Sequence, residues 1–186
     1  MRWMNRLVRI FVVIGFLLTL YWVEVSPWGC QAVAEYNAGY GTFDMKTYNA
    51  VMVEHVLGDM EEEGFRVSYL YYLGDYLFIL FFGATQALIS YALCGKWKKA
   101  YQVSIGAVLA RGMADFIENT LLALTLYQYP TVHRGMIMSA STCTQIKLWC
   151  IKLWLISILA GIIVRFVEMI GCRWKERKAA YGKAKR

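Results

Sequence analysis

The sequence is poor in charged residues, which make up only 18% of its 186 positions, whereas 59% are hydrophobic. An average soluble domain has about 25% charged and about 45–50% apolar residues. The hydrophobic excess lies in four blocks that together take up about half of the chain. This distribution excludes an ordinary soluble globule and a disordered chain, and it predicts an all-α polytopic membrane protein in which residues 1–186 form a single membrane domain.

The chain also lacks the residue patterns of several common membrane centres. Its two histidines, His55 and His133, lie outside the four blocks, so haem, di-iron and Ser-His-Asp sites inside the membrane have no ligands. No two cysteines form a Cys-x-x-Cys pair, which argues against a quinone-linked thiol oxidase and against a zinc knuckle. No Gly-rich phosphate loop and no internal repeat is visible. We therefore expect no cofactor and no metal ion.

The four hydrophobic blocks are each long enough to form a transmembrane helix, which needs about 20 mostly apolar residues. They cover about residues 7–23, 68–93, 103–127 and 141–170. The first block could instead be a signal peptide, because Ala32-Val33-Ala34 resembles a cleavage site. Since Ala34 lies eleven residues beyond Val23, we interpret the block as a retained anchor.

Basic residues predict the orientation of these helices. Thirteen of the twenty precede or enter the first helix, lie in the turn between the second and third, or lie in the tail 171–186. The segment 24–66 holds two basic and eight acidic residues. The positive-inside rule then places both termini in the cytoplasm. We expect a bacterial cytoplasmic membrane, with the basic tail near anionic lipid headgroups at about 1 kcal/mol per residue. Topology and lipid headgroups thus account for the net charge of +7, and we expect no nucleic-acid partner.

The segment 24–66 is too long for a simple turn, and its second half has a helical pattern. The apolar residues at helical spacing are Met45, Tyr48, Met52, Val56 and Met60. Asp44 can cap the start of this helix and Gly64 can end it. The pattern predicts an extracytoplasmic amphipathic helix between the first two transmembrane helices, whose acidic side is a solvated face rather than a cation site.

Two cysteines are placed where oxidation is possible. Cys30 and Cys143 should both lie near the outer face of the membrane. A disulfide between them is one hypothesis. The alternative is that both remain free thiols.

Ionisable side chains interrupt the apolar spans. An ion at the centre of a bilayer costs about 2.5–3.5 kcal/mol even on insertion scales, so these side chains should point inward and pair. Arg111, Asp115 and Asn119 recur every fourth residue and share one stripe of the third helix. The adjacent stripe has small residues at every fourth position, which favours close approach of another helix. Those residues are Gly106, Ala110 and Ala114.

Aligning the helix midpoints brings these polar residues to one depth. Asp75, Glu118, Asn119 and Lys152 fall within about 3 Å of one layer at about 1.5 Å per residue. The formal charges of the ionisable residues sum to zero, which predicts a buried, charge-balanced network among the second, third and fourth helices. These residues are Asp75, Arg111, Asp115, Glu118, Lys147 and Lys152. Lys147 lies about 140° around its helix from Lys152 and is the weakest member of the network. The alternative to its joining the network is that its side chain snorkels to the outer interface.

The network suggests function, because intramembrane ionisable groups mark binding sites and proton relays. We expect the chain to bind or transport a proton, a small ion or an amphiphile. The expected ligand-binding residues are Asp75, Arg111, Asp115, Glu118, Asn119 and Lys152. One alternative is a non-catalytic accessory subunit of a membrane complex. Another is a lipid-modifying enzyme that uses Asp115 and Glu118 as acid and base. The protein partners considered for the chain are further copies of itself or a larger membrane complex.

Overall fold

The computed structural model describes residues 2–184, with side chains from residue 6 to residue 174. Within that range the helices are joined by turns and irregular segments, and there is no strand, as predicted. The helices are α1 (Arg2–Glu24), α2 (Cys30–Glu35), α3 (Ala50–Gly58), α4 (Glu62–Cys94), α5 (Lys98–Gln128) and α6 (Arg134–Ala184). The four predicted spans lie within α1, α4, α5 and α6, whose polar ends continue the helices past the apolar blocks. Met1, Lys185, Arg186 and the side chains of the basic tail after Trp174 lie outside the described residues.

Three of the described helices are long and apolar enough to cross a membrane. The candidate spans are Arg6–Glu24, Glu62–Cys94 and Arg134–Trp174. The helix α5 has 31 residues and a length of about 46 Å, which exceeds the hydrocarbon thickness of about 30 Å. Charged residues in its middle lower its mean hydropathy. The structure therefore supports a membrane protein and three of the four predicted spans.

The long helices pack side by side, with neighbours in sequence in contact: α1 with α4, α4 with α5, and α5 with α6, which also contacts α4. The α1–α4 contact is aromatic, because the ring of Phe16 stacks on Phe82 at 5.6 Å and lies 5.9 Å from Phe78. Gly74 allows the Trp22 ring to approach, since a Cβ at that position would lie 2.4 Å from it. We call the end of the bundle that carries residues 25–61 the loop end, and the end that carries the turn 95–97 the termini end.

The helix α5 separates polar and apolar residues between two faces. Its exposed side chains include Leu109, Met113 and Phe116, whereas the charged and amide side chains near its middle are buried. The prediction that Gly106 and Ala110 form the close-packing stripe is wrong, because both are exposed. The helix instead packs through Ser104, Ala107 and Ala114, which share a face with the buried charges. Ionic contacts, rather than small size, decide which side of α5 faces inward.

A helix does lie between the first two long helices, but it is shorter than the predicted stretch from Asp44 to Gly64. It is α3, Ala50–Gly58, whose buried residues are Val53, Val56 and Leu57. Asn49 caps α3 by accepting a hydrogen bond from the Met52 backbone N–H at 2.9 Å. Gly64 belongs to α4. Asp44 is not a cap, because the chain before α3 turns inward. Glycines at positions 39 and 41 have φ near +80°, a conformation that favours glycine, and they fold this segment against the bundle.

Candidate functional site

Lys147 of α6 lies at the centre of a buried ionic cluster. Its Nζ is 2.8 Å from Glu118 Oε2, 2.9 Å from Asp115 Oδ1 and 3.2 Å from Asp44 Oδ1. Only 4% of Lys147 is exposed, so the three carboxylates replace water around the ammonium group. The cluster thus joins α5, α6 and the segment before α3.

Arg111 extends the cluster toward the termini end. Its Nη1 lies 3.2 Å from Asp115 Oδ2, and its Nη2 donates to the Ile79 carbonyl at 3.3 Å. The guanidinium carbon stands 4.6 Å from the centre of the Phe82 ring, a cation–π contact. Asp115 is therefore shared between the two buried cations, Arg111 on its own helix and Lys147 on α6. The predicted stripe of α5 is confirmed at this pair.

Asp75 of α4 joins the cluster through an amide rather than a cation. The Asn119 Nδ2 group donates to Asp75 Oδ2 at 2.6 Å, and both residues are buried. Among the described side chains, Asp75 has no ion pair. Nearby, the Tyr71 hydroxyl donates to Asp44 Oδ2. Counting residues from the helix midpoints correctly placed Asp75 and Asn119 at one depth. It did not identify Asp44 or Tyr71 as members of the cluster.

Glu118 is held by two hydroxyl groups as well as by Lys147. Thr144 donates to Glu118 Oε1 at 2.6 Å, and the Tyr48 hydroxyl donates to the same oxygen at 3.4 Å. Burial, with the Glu118 carboxylate as a second cause, raises the pKa of Tyr48 above its usual range. Tyr48 therefore keeps its proton and remains a donor. These contacts attach the segment before α3 to α5 and α6 at a second point.

Lys152, which the sequence placed in the network, is not part of it. Its side chain is exposed, and its Nζ lies 4.6 Å from the centre of the Trp149 ring. Lys147 is the residue of α6 that faces inward. The predicted charge balance is also wrong, because Asp44 enters the cluster and Lys152 leaves it. Among the described residues, four carboxylates then face two cations, a formal excess of two negative charges.

A cavity of about 240 Å³ lies beside the cluster. Asp44, Asp75 and Asp115 line it, and each offers a carboxylate oxygen within 4.8 Å of the other two. Its wall also includes Glu24 and Met45, which are exposed at the loop end, so the cavity connects the carboxylates with that surface. Oxygen ligands about 2.4 Å from a hard cation lie up to about 4.8 Å apart, so this spacing suits a small cation.

Of the two alternatives for Cys30 and Cys143, the structure has free thiols and no disulfide. All five cysteines, each within the described part of the chain, are free thiols. Cys30 begins α2, and its Sγ lies 3.5 Å from the Glu24 carboxylate. Burial and this carboxylate raise the pKa of the Cys30 thiol. Cys143 is half-buried on α6.

Comparison of the chain with models of known families, with characterised proteins and with solved structures gives no match. The site must therefore be interpreted by its chemistry. It combines acids, a buried ammonium group and a cavity that reaches one end of the bundle. Such a site can exchange protons or hold a small cation, because a buried excess of negative charge is stabilised by either.

Proposed function

We propose that this protein is a membrane-embedded binding module for protons or a small cation, with both termini cytoplasmic and residues 25–61 on the outer face. The observation that carries the proposal is the excess of carboxylates over cations around the cavity. Three buried carboxylates and the partly buried Asp44 face two basic groups, and a net negative charge in the interior carries a desolvation cost. A proton or a small cation that enters from the loop end offsets this charge.

The proposal includes α5 as a fourth transmembrane helix. The exposed fractions of Leu109, Met113 and Phe116 are 62%, 67% and 56%, which matches a surface that contacts lipid. The central charged residues of α5, Arg111, Asp115 and Glu118, lower its mean hydropathy but are paired inside the bundle. A helix whose central charged groups are turned inward can cross the hydrocarbon.

Thiol labelling tests the number of crossings. Four spans place Cys30 and Cys172 on opposite sides of the membrane, whereas three spans without α5 place them on the same side. An impermeant maleimide should label a variant whose single cysteine is Cys30 in intact cells. A variant whose single cysteine is Cys172 should be labelled only after the cells are permeabilised. Because the pKa of Cys30 is raised, its thiolate fraction and labelling rate should increase as the pH is made alkaline. Labelling of both variants from one side would contradict the fourth span.

Cation-linked proton release tests the binding function. The full chain in lipid nanodiscs, in weak buffer, should release about one proton per chain when a small cation enters the cluster. The cations to be compared are Na⁺, K⁺, Mg²⁺ and Ca²⁺, with the bulky N-methylglucamine ion as the control for ionic strength. Asp75→Asn should abolish the release, because it removes the carboxylate that has no cation partner. Asn retains hydrogen-bonding groups beside Asn119, so this variant should still fold.

Glu54→Gln is the matched control, because Glu54 is an exposed acid outside the cluster. It should leave proton release unchanged. A signal that survives Asp75→Asn, or a wild-type chain that gives no signal with any of the four cations, would contradict the binding function.

A second candidate, the accessory subunit, is favoured by the direct pairing of Lys147. An ammonium group that contacts three carboxylates fixes α5, α6 and the segment before α3 relative to one another. In that role the cluster determines helix packing and choice of partner. No cation would then change its proton content, so the same titration separates the two functions.

A further inference from the structure

A second polar cluster lies nearer the termini end. The Ser90 Oγ is 2.7 Å from Ser104 Oγ and accepts a hydrogen bond from Trp154 Nε1 at 3.0 Å. The Ser90 hydroxyl also lies 2.7 Å from the backbone carbonyl of Gln86. All these side chains are buried, so the cluster joins α4, α5 and α6 in the interior of the bundle.

Gln86 lies between this serine cluster and the ionic cluster. It is one helical turn from Ser90 in one direction and one turn from Phe82, whose ring contacts Arg111, in the other. On α5, Arg111 and Ser104 are separated by two turns, about 10 Å. We call this separation of about 10 Å the gap, and Gln86 on α4 lies beside it.

The Gln86 side chain has no exposed surface, and neither its amide oxygen nor its amide nitrogen has a hydrogen-bond partner among residues 6–174. The Nε of Arg111, at the other side of the gap, is also buried without a partner in that range. A glutamine amide has two donor hydrogens and two acceptor lone pairs, and burying all of them unpaired is unfavourable. Polar groups in this situation are commonly satisfied by internal water, which makes about three hydrogen bonds.

We propose that Gln86 binds internal water, and that this water joins the ionic cluster to the serine cluster as a proton path through the bundle. The inference rests on the proposed function, because the ionic cluster supplies the proton. At each step an oxygen accepts one proton from the side of Arg111 and Lys147 and passes another on toward Ser90, so no oxygen gains or loses a proton overall. The helix α4 ends at Cys94, about 6 Å beyond Ser90, and the exposed Lys96 follows in the turn at the termini end.

A polar residue that only holds helices together would be paired across the interface, as Ser90 and Ser104 are. Gln86 is not paired in this way, although Ser104 of α5 and Trp154 of α6 contact Ser90, which is one helical turn from Gln86. This difference separates the proposed role of Gln86 from a packing role.

Proton flux into liposomes tests the proposal. The full chain is reconstituted with a pH-sensitive dye inside, and a membrane potential is imposed with potassium and valinomycin. We expect the wild-type chain to conduct protons, and Gln86→Leu to reduce the flux by at least about tenfold. Gln102→Leu is the matched control, because Gln102 is an exposed amide on α5, and it should leave the flux unchanged. Proton release on cation addition should persist in Gln86→Leu.

Three results would overturn the path. One is a wild-type chain that releases protons on cation addition but conducts none; the proposed function would survive this result. Another is a folded Gln86→Leu chain with undiminished flux. The third concerns the wild-type chain alone and applies even if the variant fails to fold: in nanodiscs, the side-chain amide of Gln86 should show magnetisation exchange with water by NMR. A Gln86 amide without water contacts would remove the basis of the proposal.

Discussion

Replacing Lys147 with methionine should lower the free energy of unfolding by about 5 kcal/mol, the upper end of the range for breaking a buried ion pair. The Nζ of Lys147 contacts three carboxylates, from Asp44, Asp115 and Glu118, at distances between 2.8 and 3.2 Å. Methionine has a similar length but no charge, so the variant keeps most of the packing and leaves the carboxylates without their shared partner. The loss can be measured by reversible unfolding in mixed micelles.

Lys152→Met is the control on the same helix. Lys152 is exposed and contacts only the face of Trp149 among the interactions described for it, so its replacement should change the unfolding free energy by less than about 0.5 kcal/mol. The sequence alone favoured the opposite ranking of these two lysines. Equal losses for the two variants would show that the ionic cluster does not stabilise the fold.

Removing the guanidinium group by Arg111→Met should lower the unfolding free energy by about 3 kcal/mol, the lower end of the same range. The loss is smaller because Asp115 retains Lys147 at 2.9 Å when Arg111 is removed. Two further contacts disappear, the hydrogen bond to the Ile79 carbonyl and the contact with the Phe82 ring. Arg111→Lys keeps the charge but not the planar group. Its unfolding free energy should therefore lie between that of the wild-type chain and that of Arg111→Met.

Arg66→Met provides the exposed counterpart of that experiment. Arg66 pairs with Glu63 at 3.1 Å on the surface, where 72% of the Arg66 side chain is exposed. Solvent screens such a pair, so its removal should cost less than about 1 kcal/mol in the same unfolding measurement. If Arg111→Met were no more harmful than Arg66→Met, the burial of Arg111 would not be the source of its contribution.

The spacing of polar residues within one helix predicted its contacts well. Arg111 and Asp115 are four residues apart on α5, and they pair at 3.2 Å. Asp75 and Asn119 lie on different helices, yet counting residues from the helix midpoints placed them at one depth, and they bond at 2.6 Å. Both predictions depend on helix geometry alone, which is set by about 3.6 residues per turn and about 1.5 Å per residue.

The face of α6 was not predicted, because the apolar residues of a membrane helix surround it on all sides. Depth selected Lys152, which lies at a suitable level but faces outward. A heptad-like series of buried positions does mark the inner face, and Lys147 belongs to it. The members of the series are Ile137, Ala140, Thr144, Lys147, Trp154 and Ile158. The small and hydroxyl residues of this series are the signal that identifies Lys147 over Lys152.

The position of Asp44 could not be derived from a helical pattern. Asp44 lies outside every long helix and reaches the cluster because the chain turns at Gly39 and Gly41. Asn37 stabilises this turn through two hydrogen bonds with Gly41, at 2.8 and 2.9 Å. The glycine pair was visible in the sequence, but the direction in which it turns the chain depends on contacts with distant helices.

The bond between Asp44 and Lys147 joins residues 103 positions apart. During synthesis, Asp44 leaves the ribosome long before Lys147, so its final partner does not yet exist when the first two long helices are complete. The segment before α3 can reach its native position only after α6 is complete. Completion of α6 therefore precedes closure of the segment before α3, and a chain interrupted before Lys147 would leave Asp44 without this partner.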